Sequence, residues 1–257
     1  MSVIGMFDSG VGGLSVLKKT RRLLPQTPVV YLADQKYGPY GDRSLDEVRR
    51  RANVIVERLL TEGATMAVIA CHTASAAALH SLRRDHPHLQ IVGIEPAVKP
   101  AAERTATRTV AVLATTATFQ GELFASVVSR HAENTRVIAR PCPGLADLIE
   151  NGSDEATLRR ELAKHLEPFR SENVDQIVLG CTHYSLIGDL ISDLSGTEVV
   201  DPAPAVAAQV ARVASGLPTA GGSKGEVRLL TTADPGRFSK RAAAILDEQH
   251  SVETIDI

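Results

Sequence analysis

Short apolar runs rich in β-branched residues alternate along this chain with segments of helical spacing. Runs of this kind, bounded by Gly, Pro, Asp or Ser, are typical of buried strands. They fall at 3–8, 29–34, 66–71, 91–95, 109–115, 136–141, 176–181, 198–201 and 226–232. Strand–helix alternation predicts βαβ units and mainly parallel sheets, which is an α/β fold.

The segment 44–63 is the clearest predicted helix, with Gly63 placed to end it. Its apolar residues recur at helical spacing among charged ones. They are Val48, Val54, Ile55, Leu59 and Leu60. The segment 216–225, rich in Gly, Pro and Ser, predicts a loop before a last strand–helix–strand unit.

The two halves of the chain resemble each other in the spacing of their strand ends. The step from the run ending at Asp8 to the run ending at Cys71 nearly equals the step from Thr115 to Cys181. Matched strand ends of this kind predict two similar α/β domains that face each other.

Composition is that of an ordinary globular protein. The chain has 257 residues, 44% hydrophobic and 23% charged, with a formal net charge of -2. No basic block predicts a nucleic-acid surface, and no apolar stretch approaches the ~20 residues of a membrane span. The start of the chain has no basic leader, so no signal peptide is expected. Three cysteines without paired spacing favour reduced thiols in a cytoplasm over a disulfide framework.

Polar residues stand at the carboxyl ends of many predicted strands. Parallel sheets bind ligands in the crevice beyond these ends, although Asp, Ser and Thr also cap helices there. The residues are Asp8, Asp34, Cys71, Glu95, Thr115, Cys181 and Asp201.

Cys71 and Cys181 are the leading candidates for chemistry. A single cysteine at a strand end is most often a small buried apolar residue, but two with hydroxyl and imidazole neighbours point to reactivity. A helix N-terminus lowers the pKa of a thiol, which favours the thiolate. His183, two residues after Cys181, is placed to polarise that thiol. Asp8 is expected to play the same part for Cys71, since both would lie at strand ends of one sheet.

Metal binding is the competing use of these residues. Cys71 and His72 are adjacent, and one residue separates Cys181 from His183, so neither pair has the spacing of a zinc site. No metal is expected. Cys142, which lies between two prolines, is interpreted as structural.

The glycine-rich stretch FDSGVGGLSV, residues 7–16, has two interpretations. Gly10 and Gly12 fit a dinucleotide fingerprint and Asp34 stands where a ribose-binding acid would be, but Ser15 replaces the third glycine. Asp8 would also repel a pyrophosphate. The alternative is a smaller anion, such as an amino-acid carboxylate, held by backbone N–H groups. The turn-rich segment 37–44 is either a surface loop or the mouth of a ligand site.

Taken together, the motifs FDSGVGGLSV, ADQKYGPYG, ACHTASA, GIEPAVKPA, CPGLADLIENG and VLGCTHYSLI resemble the glutamate racemases of the cofactor-independent aspartate/glutamate racemase family. The resemblance runs through most of the chain. It implies two pseudo-symmetric α/β domains with mainly parallel sheets and the active site in the cleft between them. The expected domains are 1–96 plus 206–257, and 97–205.

The resemblance also implies the chemistry and its residues. Without a cofactor, one cysteine removes the α-proton and the other reprotonates the opposite face, Cys71 serving D-glutamate and Cys181 serving L-glutamate. Asp8, His183 and Glu150 match the family's assisting groups, although by residue type alone Glu150 is a solvated helix terminus. The positions that match substrate-binding residues are Ser9, Pro39, Tyr40, Gly41, His72, Thr73, Thr115, Thr118 and Thr182.

Two residues depart from the family pattern. His72 replaces the usual Asn after the first cysteine, which affects substrate fit and pH dependence, and Ser185 replaces a Pro, which mainly affects local geometry. The expected function is cytoplasmic racemisation of glutamate, supplying D-glutamate for peptidoglycan, by a protein that is a homodimer like many family members. The alternatives are a racemase of another acidic amino acid such as aspartate, or a non-catalytic relative that binds a ligand such as a nucleotide.

Overall fold

A computed structural model describes residues 2–216 and 225–257 and contains two parallel β-sheets. The predicted loop at 216–225 lies mostly outside the described residues. One sheet has six strands and the other has four. All pairings are parallel. The predicted α/β class is therefore confirmed.

Each predicted apolar run forms a strand, followed by the expected last strand. The six-stranded sheet contains β1 (Ile4–Asp8), β2 (Val29–Ala33), β3 (Met66–Ile69), β4 (Gln90–Gly93), β9 (Val227–Thr231) and β10 (Val252–Thr254). The four-stranded sheet contains β5 (Thr109–Ala114), β6 (Arg136–Pro141), β7 (Gln176–Gly180) and β8 (Glu198–Val200). The strand order is β10-β9-β2-β1-β3-β4 in the first sheet and β6-β5-β7-β8 in the second. The central strands β1, β5 and β7 are buried along their whole length because helices cover both faces of each sheet.

Helices form the crossover connections that parallel strands require. They are α1 (Leu14–Leu23), α2 (Leu45–Thr61), α3 (His72–Asp85), α4 (Val98–Arg104), α5 (Thr116–Gln120), α6 (Glu122–His131), α7 (Leu145–Glu150), α8 (Glu155–Leu166), α9 (Gly188–Ser195), α10 (Ala203–Ala214) and α11 (Pro235–Leu246). Short 3₁₀ helices lie at Tyr40–Asp42, Glu167–Ser171 and Thr182–Ile187. No helix in the described ranges is long and apolar enough to cross a membrane.

Helix α2 begins and ends where the sequence predicts. Ser44 and Glu47 form a capping box at its start, and Gly63 adopts a φ of +88° just beyond its end. Its buried stripe is Val48, Ala52, Ile55, Val56 and Leu59. The prediction for Val54 is wrong, since this side chain is 43% exposed. It lies six residues after Val48, which turns it away from that stripe.

Two apolar clusters cover each sheet, one on either face. Helix α10 packs as a whole on the six-stranded sheet, with Val206 and Val210 in the same cluster as Met6. The domain limits, 1–96 plus 206–257 and 97–205, stay a prediction.

A buried ion pair anchors the carboxyl edge of the six-stranded sheet. The Asp34 carboxylate, fully buried, accepts from Arg51 Nη2 at 2.7 Å and Nε at 3.0 Å. It also accepts from the hydroxyls of Tyr40 and Thr232. Both oxygens of Asp34 are therefore engaged by protein groups, so this carboxylate is not available for the ribose that the dinucleotide interpretation requires.

Substitution of Arg51 by Leu should strongly destabilise the fold, because it leaves the Asp34 charge buried without its partner. We expect a loss of about 3–5 kcal/mol in the free energy of unfolding, measured by urea denaturation. Arg130→Leu is the control, since Arg130 makes a half-exposed pair with Glu95 at 3.5 Å and should cost under about 1 kcal/mol. Equal losses for the two variants would contradict this role of Asp34.

Candidate active site

Cys71 and Cys181 lie at the carboxyl ends of strands from different sheets. Cys71 follows β3 and its side chain caps helix α3, whereas Cys181 follows β7 and directly precedes the 3₁₀ helix at Thr182–Ile187. Both are free and buried, with 4% and 6% of their surface exposed. They are close enough for the charge of one to raise the pKa of the other. The structure thus brings the two predicted thiols to one place between the sheets.

Cys71 lies beside Asp8 and Ser9, which end the neighbouring strand β1. Its thiol donates to Ser9 Oγ at 4.0 Å and accepts from the Ala74 N–H at 3.5 Å. Burial and then the Asp8 charge raise the pKa of Cys71 well above its usual range. The expectation of a lowered pKa at this helix start is therefore wrong, because one long N–H contact does not offset full burial beside a carboxylate.

Cys181 is joined to a buried chain of hydrogen bonds. His183 Nδ1 lies 3.9 Å from its sulfur, and His183 Nε2 lies 2.6 Å from Glu150 Oε2. Burial lowers the pKa of His183, but the contacts with Cys181 and Glu150 raise it well above its usual value overall. The imidazole is thereby held as an imidazolium.

Glu150 is not the solvated helix terminus that its residue type suggests. Its side chain is 11% exposed, and its carboxylate accepts from the Val11 N–H at 2.9 Å as well as contacting His183. Burial raises its pKa, but His183, Val11 and Gln35 outweigh that effect and the pKa is lowered. Tertiary contacts with the six-stranded sheet thus convert a helix-end acid into a buried anion.

Asp8, the carboxylate whose charge acts on Cys71, is also contacted from the opposite sheet. Thr182 Oγ1, next to Cys181, donates to Asp8 Oδ2 at 2.9 Å, while the Gly10 N–H donates to Asp8 Oδ1 at 2.8 Å. Burial raises the pKa of Asp8 to about 6, despite the opposing charge of His183 and these two donors. Each buried carboxylate of the site therefore accepts hydrogen bonds from both sheets.

Three threonine hydroxyls from the two halves of the chain form a second contact. Thr73 Oγ1 lies 2.9 Å from Thr115 Oγ1 and 3.2 Å from Thr118 Oγ1. The hydroxyls of Thr115 and Thr118 are 2.8 Å apart, and Thr115 caps helix α5 by accepting from the Thr118 N–H. The site consequently offers a buried cluster of hydroxyl donors beside the thiols.

The glycine-rich loop is a packing site between the sheets. A Cβ on Gly10 would overlap the Glu150 carboxylate, and one on Gly12 would come within 2.6 Å of Thr182 Oγ1 and 2.7 Å of the His183 backbone nitrogen. The Val11 N–H already binds Glu150. The Val11 N–H of this loop therefore holds an anion of the protein itself, the Glu150 carboxylate.

The segment around Tyr40 borders the same space. The Gly38–Pro39 bond is cis, Tyr40 is buried with its hydroxyl on Asp34, and a Cβ on Gly41 would lie 2.9 Å from Thr115 Cγ2. The ligand-mouth interpretation of 37–44 agrees with this position at the boundary of the two sheets.

His72 is buried without a hydrogen-bonding partner. Only 2% of its surface is exposed, and neither ring nitrogen makes a hydrogen bond. Burial lowers its pKa to about 3, so the ring is neutral. It directly follows Cys71 and begins helix α3.

The remaining strand-end and cysteine candidates lie outside this cluster. Glu95 pairs with Arg130 at the surface, and Asp201 accepts from Ser185 and from the Ala203 N–H at the start of α10. Cys142 is buried in the apolar cluster of the four-stranded sheet, which raises its pKa to about 12. In the described part of the chain, no group of three or more His, Cys, Asp or Glu side chains has the geometry to hold a metal ion.

Sequence reasoning missed Gln35, which donates to Glu150 Oε1 at 2.5 Å. Its position directly after Asp34, at the end of β2, is the sequence feature that could have identified it.

Comparison with known proteins agrees with this geometry. Residues 11–210 match the family model described as Asp/Glu/Hydantoin racemase. A curated glutamate racemase from Ectopseudomonas mendocina is 46% identical over 213 residues, which is 82% of this chain and 81% of that protein.

Solved structures give the same result. A glutamate racemase isoform from Bacillus anthracis superimposes with a TM-score of 0.90 at 30% identity, covering 100% of this chain and 98% of that one. The glutamate racemase of Francisella tularensis in complex with D-glutamate gives 0.87 at 26% identity, covering 99% and 97%. The resemblance read from the motifs is confirmed, and the chain belongs to the Asp/Glu/hydantoin racemase family.

Proposed function

We propose that this protein interconverts L-glutamate and D-glutamate by proton transfer between two thiols, without a cofactor. The observation that carries the proposal is the pair of free, buried thiols at the carboxyl ends of two parallel sheets, with the Asp8 charge near Cys71 and the His183–Glu150 pair behind Cys181. The named activity of the relatives and the D-glutamate in the Francisella tularensis structure support glutamate as the substrate.

Inversion of a stereocentre by proton exchange requires a base on one face and an acid on the other. In the L-to-D direction the Cys181 thiolate takes the α-proton, and the electron pair of the broken C–H bond remains on Cα. The Cys71 thiol then donates its proton to the opposite face, which leaves a Cys71 thiolate and a Cys181 thiol. The reverse reaction starts from Cys71. Both sulfurs must lie within reach of Cα for this transfer.

The surroundings of the two thiols differ in a way that suits this sequence. His183, held as an imidazolium by Glu150, presents a charged donor towards Cys181. Burial and Asp8 keep the proton on Cys71, which is the acid needed for the L-enantiomer. When D-glutamate binds, Asp8 is the group placed to receive that proton.

The remaining site residues are proposed to hold the substrate. The hydroxyls of Thr73, Thr115 and Thr118 contact one another and are able to turn towards a carboxylate. Donors fixed in a buried site stabilise the negative charge that develops on the carboxylate as Cα loses its proton. The other proposed contacts are Ser9, Pro39, Tyr40, Gly41, His72 and Thr182.

The wider biological assignments rest on the resemblance. We propose that the D-glutamate produced enters peptidoglycan, that the protein is cytoplasmic and that it is a homodimer. The nucleotide-binding alternative is disfavoured because Asp34 and the Val11 N–H are both engaged by protein groups.

Replacement of either site cysteine by serine should abolish racemisation. We expect a loss of at least about 10²-fold in kcat for Cys71→Ser and for Cys181→Ser, because each direction requires both proton transfers. The measurement is loss of circular dichroism from L-glutamate in the presence of EDTA and without added cofactor. Cys142→Ser, which removes the third thiol, should retain the parent rate. Normal turnover by either site variant would contradict the two-thiol mechanism.

Activity should fall as the pH drops through about 6, because Asp8 becomes protonated there and no longer accepts the Cys71 proton. Asp8→Asn should lower kcat/KM by about 10²-fold for both enantiomers, whose values the overall equilibrium ties together, and should remove this acidic limb from the pH–rate profile. Asp201→Asn changes another strand-end aspartate and should leave the limb in place. An unchanged limb in Asp8→Asn would assign it to a different group.

His72→Asn should preserve or raise glutamate racemisation, because the neutral imidazole has no bonded partner to lose. Its pH–rate profile between pH 5 and 9 should match that of the parent, since the pKa of His72 is about 3. Rates are compared for L-glutamate and L-aspartate, and His165→Asn, which changes another buried histidine outside the site, controls for stability. A collapse of activity with glutamate in His72→Asn, but not in His165→Asn, would show that the imidazole has a role of its own.

A further inference from the structure

Gln35 connects the two sheets at the point where β2 ends. Its side-chain carbonyl accepts from the Thr231 hydroxyl at 2.8 Å, and its amide nitrogen donates to Glu150 Oε1 at 2.5 Å. Gln35 is not among the residues proposed above for proton transfer or substrate binding. The side chain is partly buried, which limits the water that is able to replace it.

The Thr231 hydroxyl fixes the orientation of this amide. Thr231 is fully buried at the end of β9, and its oxygen accepts the Ala233 N–H at 3.1 Å. Its own proton is therefore directed to the carbonyl of Gln35. The amide NH₂ group consequently points at Glu150, and the reversed orientation would place an oxygen against a carboxylate.

The two oxygens of Glu150 have separate partners. Oε2 contacts the Val11 N–H and His183 Nε2. Oε1 is bonded by Gln35, and no other described residue donates to it. Without Gln35, one oxygen of a mostly buried carboxylate would lack a protein donor, and a buried acceptor left unsatisfied is costly.

We propose that Gln35 is a positioning residue for Cys181: its amide orients the Glu150 carboxylate, which holds His183 with Nδ1 facing the sulfur. The inference rests on the proposed two-thiol function. Gln35 follows a strand of the six-stranded sheet, whereas Glu150, His183 and Cys181 belong to the four-stranded side. The hydrogen-bond chain behind Cys181 is therefore complete only when the two halves meet as they do here.

The charge balance around Glu150 predicts the sign of the pH effect. The titratable groups that interact with it are His183, Asp8, Asp147 and Tyr31. Donation from Gln35 favours the ionised carboxyl of Glu150, so its removal raises the pKa of Glu150 relative to the parent. Activity that depends on ionised Glu150 is then lost at a higher pH as the solution is acidified.

Gln35→Leu tests the proposal because it replaces the amide with an apolar side chain of similar size. We expect kcat/KM to fall about tenfold in both directions, since the overall equilibrium ties the two values together. Primary isotope effects distinguish the thiols. With 2-deuterated L-glutamate the effect should increase, because transfer to Cys181 is slowed. With 2-deuterated D-glutamate it should decrease, because reprotonation by Cys181 now limits the rate.

Gln35→Glu should change the pH profile in the opposite direction. At acidic pH a second carboxyl beside Glu150 is able to share a proton with it. When both are ionised they repel each other, so the activity of the variant relative to the parent is highest at acidic pH and falls as the pH rises. Gln176→Leu is the matched control. Gln176 is buried, and its amide donates to Glu198 at 3.0 Å in the four-stranded sheet away from the thiols. It should change neither the isotope effects nor the pH profile.

Three outcomes would overturn the assignment of Gln35 in an enzyme that racemises glutamate. The first is parent-like isotope effects in Gln35→Leu, and the second is an isotope effect that changes equally for both enantiomers in that variant. The third is the same isotope-effect asymmetry in Gln176→Leu. Thermal melting reports whether each variant folds. If Gln35→Leu does not fold, the pH profile of Gln35→Glu decides the question. A parent protein without racemase activity would instead refute the proposed function.

Discussion

The site depends on two buried carboxylates that each accept hydrogen bonds from both halves of the chain. Asp8 ends a strand of the six-stranded sheet and accepts from Thr182, which follows a strand of the other sheet. Glu150 lies at the end of α7 and accepts from Val11 and Gln35, which belong to the six-stranded side. Since an unsatisfied buried charge is very costly, each half of the molecule stabilises the acid of the other.

This arrangement explains the glycines near the start of the chain. Gly10 and Gly12 let the loop after β1 approach Glu150, Thr182 and His183 to distances that no side chain would allow. The same stretch in isolation has the character of a nucleotide loop. Its Val11 N–H does bind an anion, but that anion is Glu150 of the opposite half, so the loop joins the two halves near the thiols.

Burial gives the two thiols unequal surroundings despite their similar positions on the sheets. Cys71 faces a carboxylate whose own pKa is raised to about 6, whereas Cys181 faces an imidazolium backed by Glu150. One sulfur is thereby set to hold its proton and the other has a charged donor beside it. These surroundings agree with the proposed reaction, in which Cys71 is the acid and Cys181 the base when L-glutamate reacts.

The sequence alone determined the α/β class, every strand run, the limits of α2 and the pairing of Cys71 with Cys181 as the reactive candidates, because these follow from local periodicity and strand-end chemistry. Motif resemblance added the family and assigned a role to Glu150. Only the tertiary structure decided that Glu150 is buried, that the pKa of Cys71 is raised, that Asp34 is committed to Arg51 and that Gln35 contacts Glu150. These properties depend on which groups from distant parts of the chain exclude water and supply donors, and no local pattern encodes those contacts.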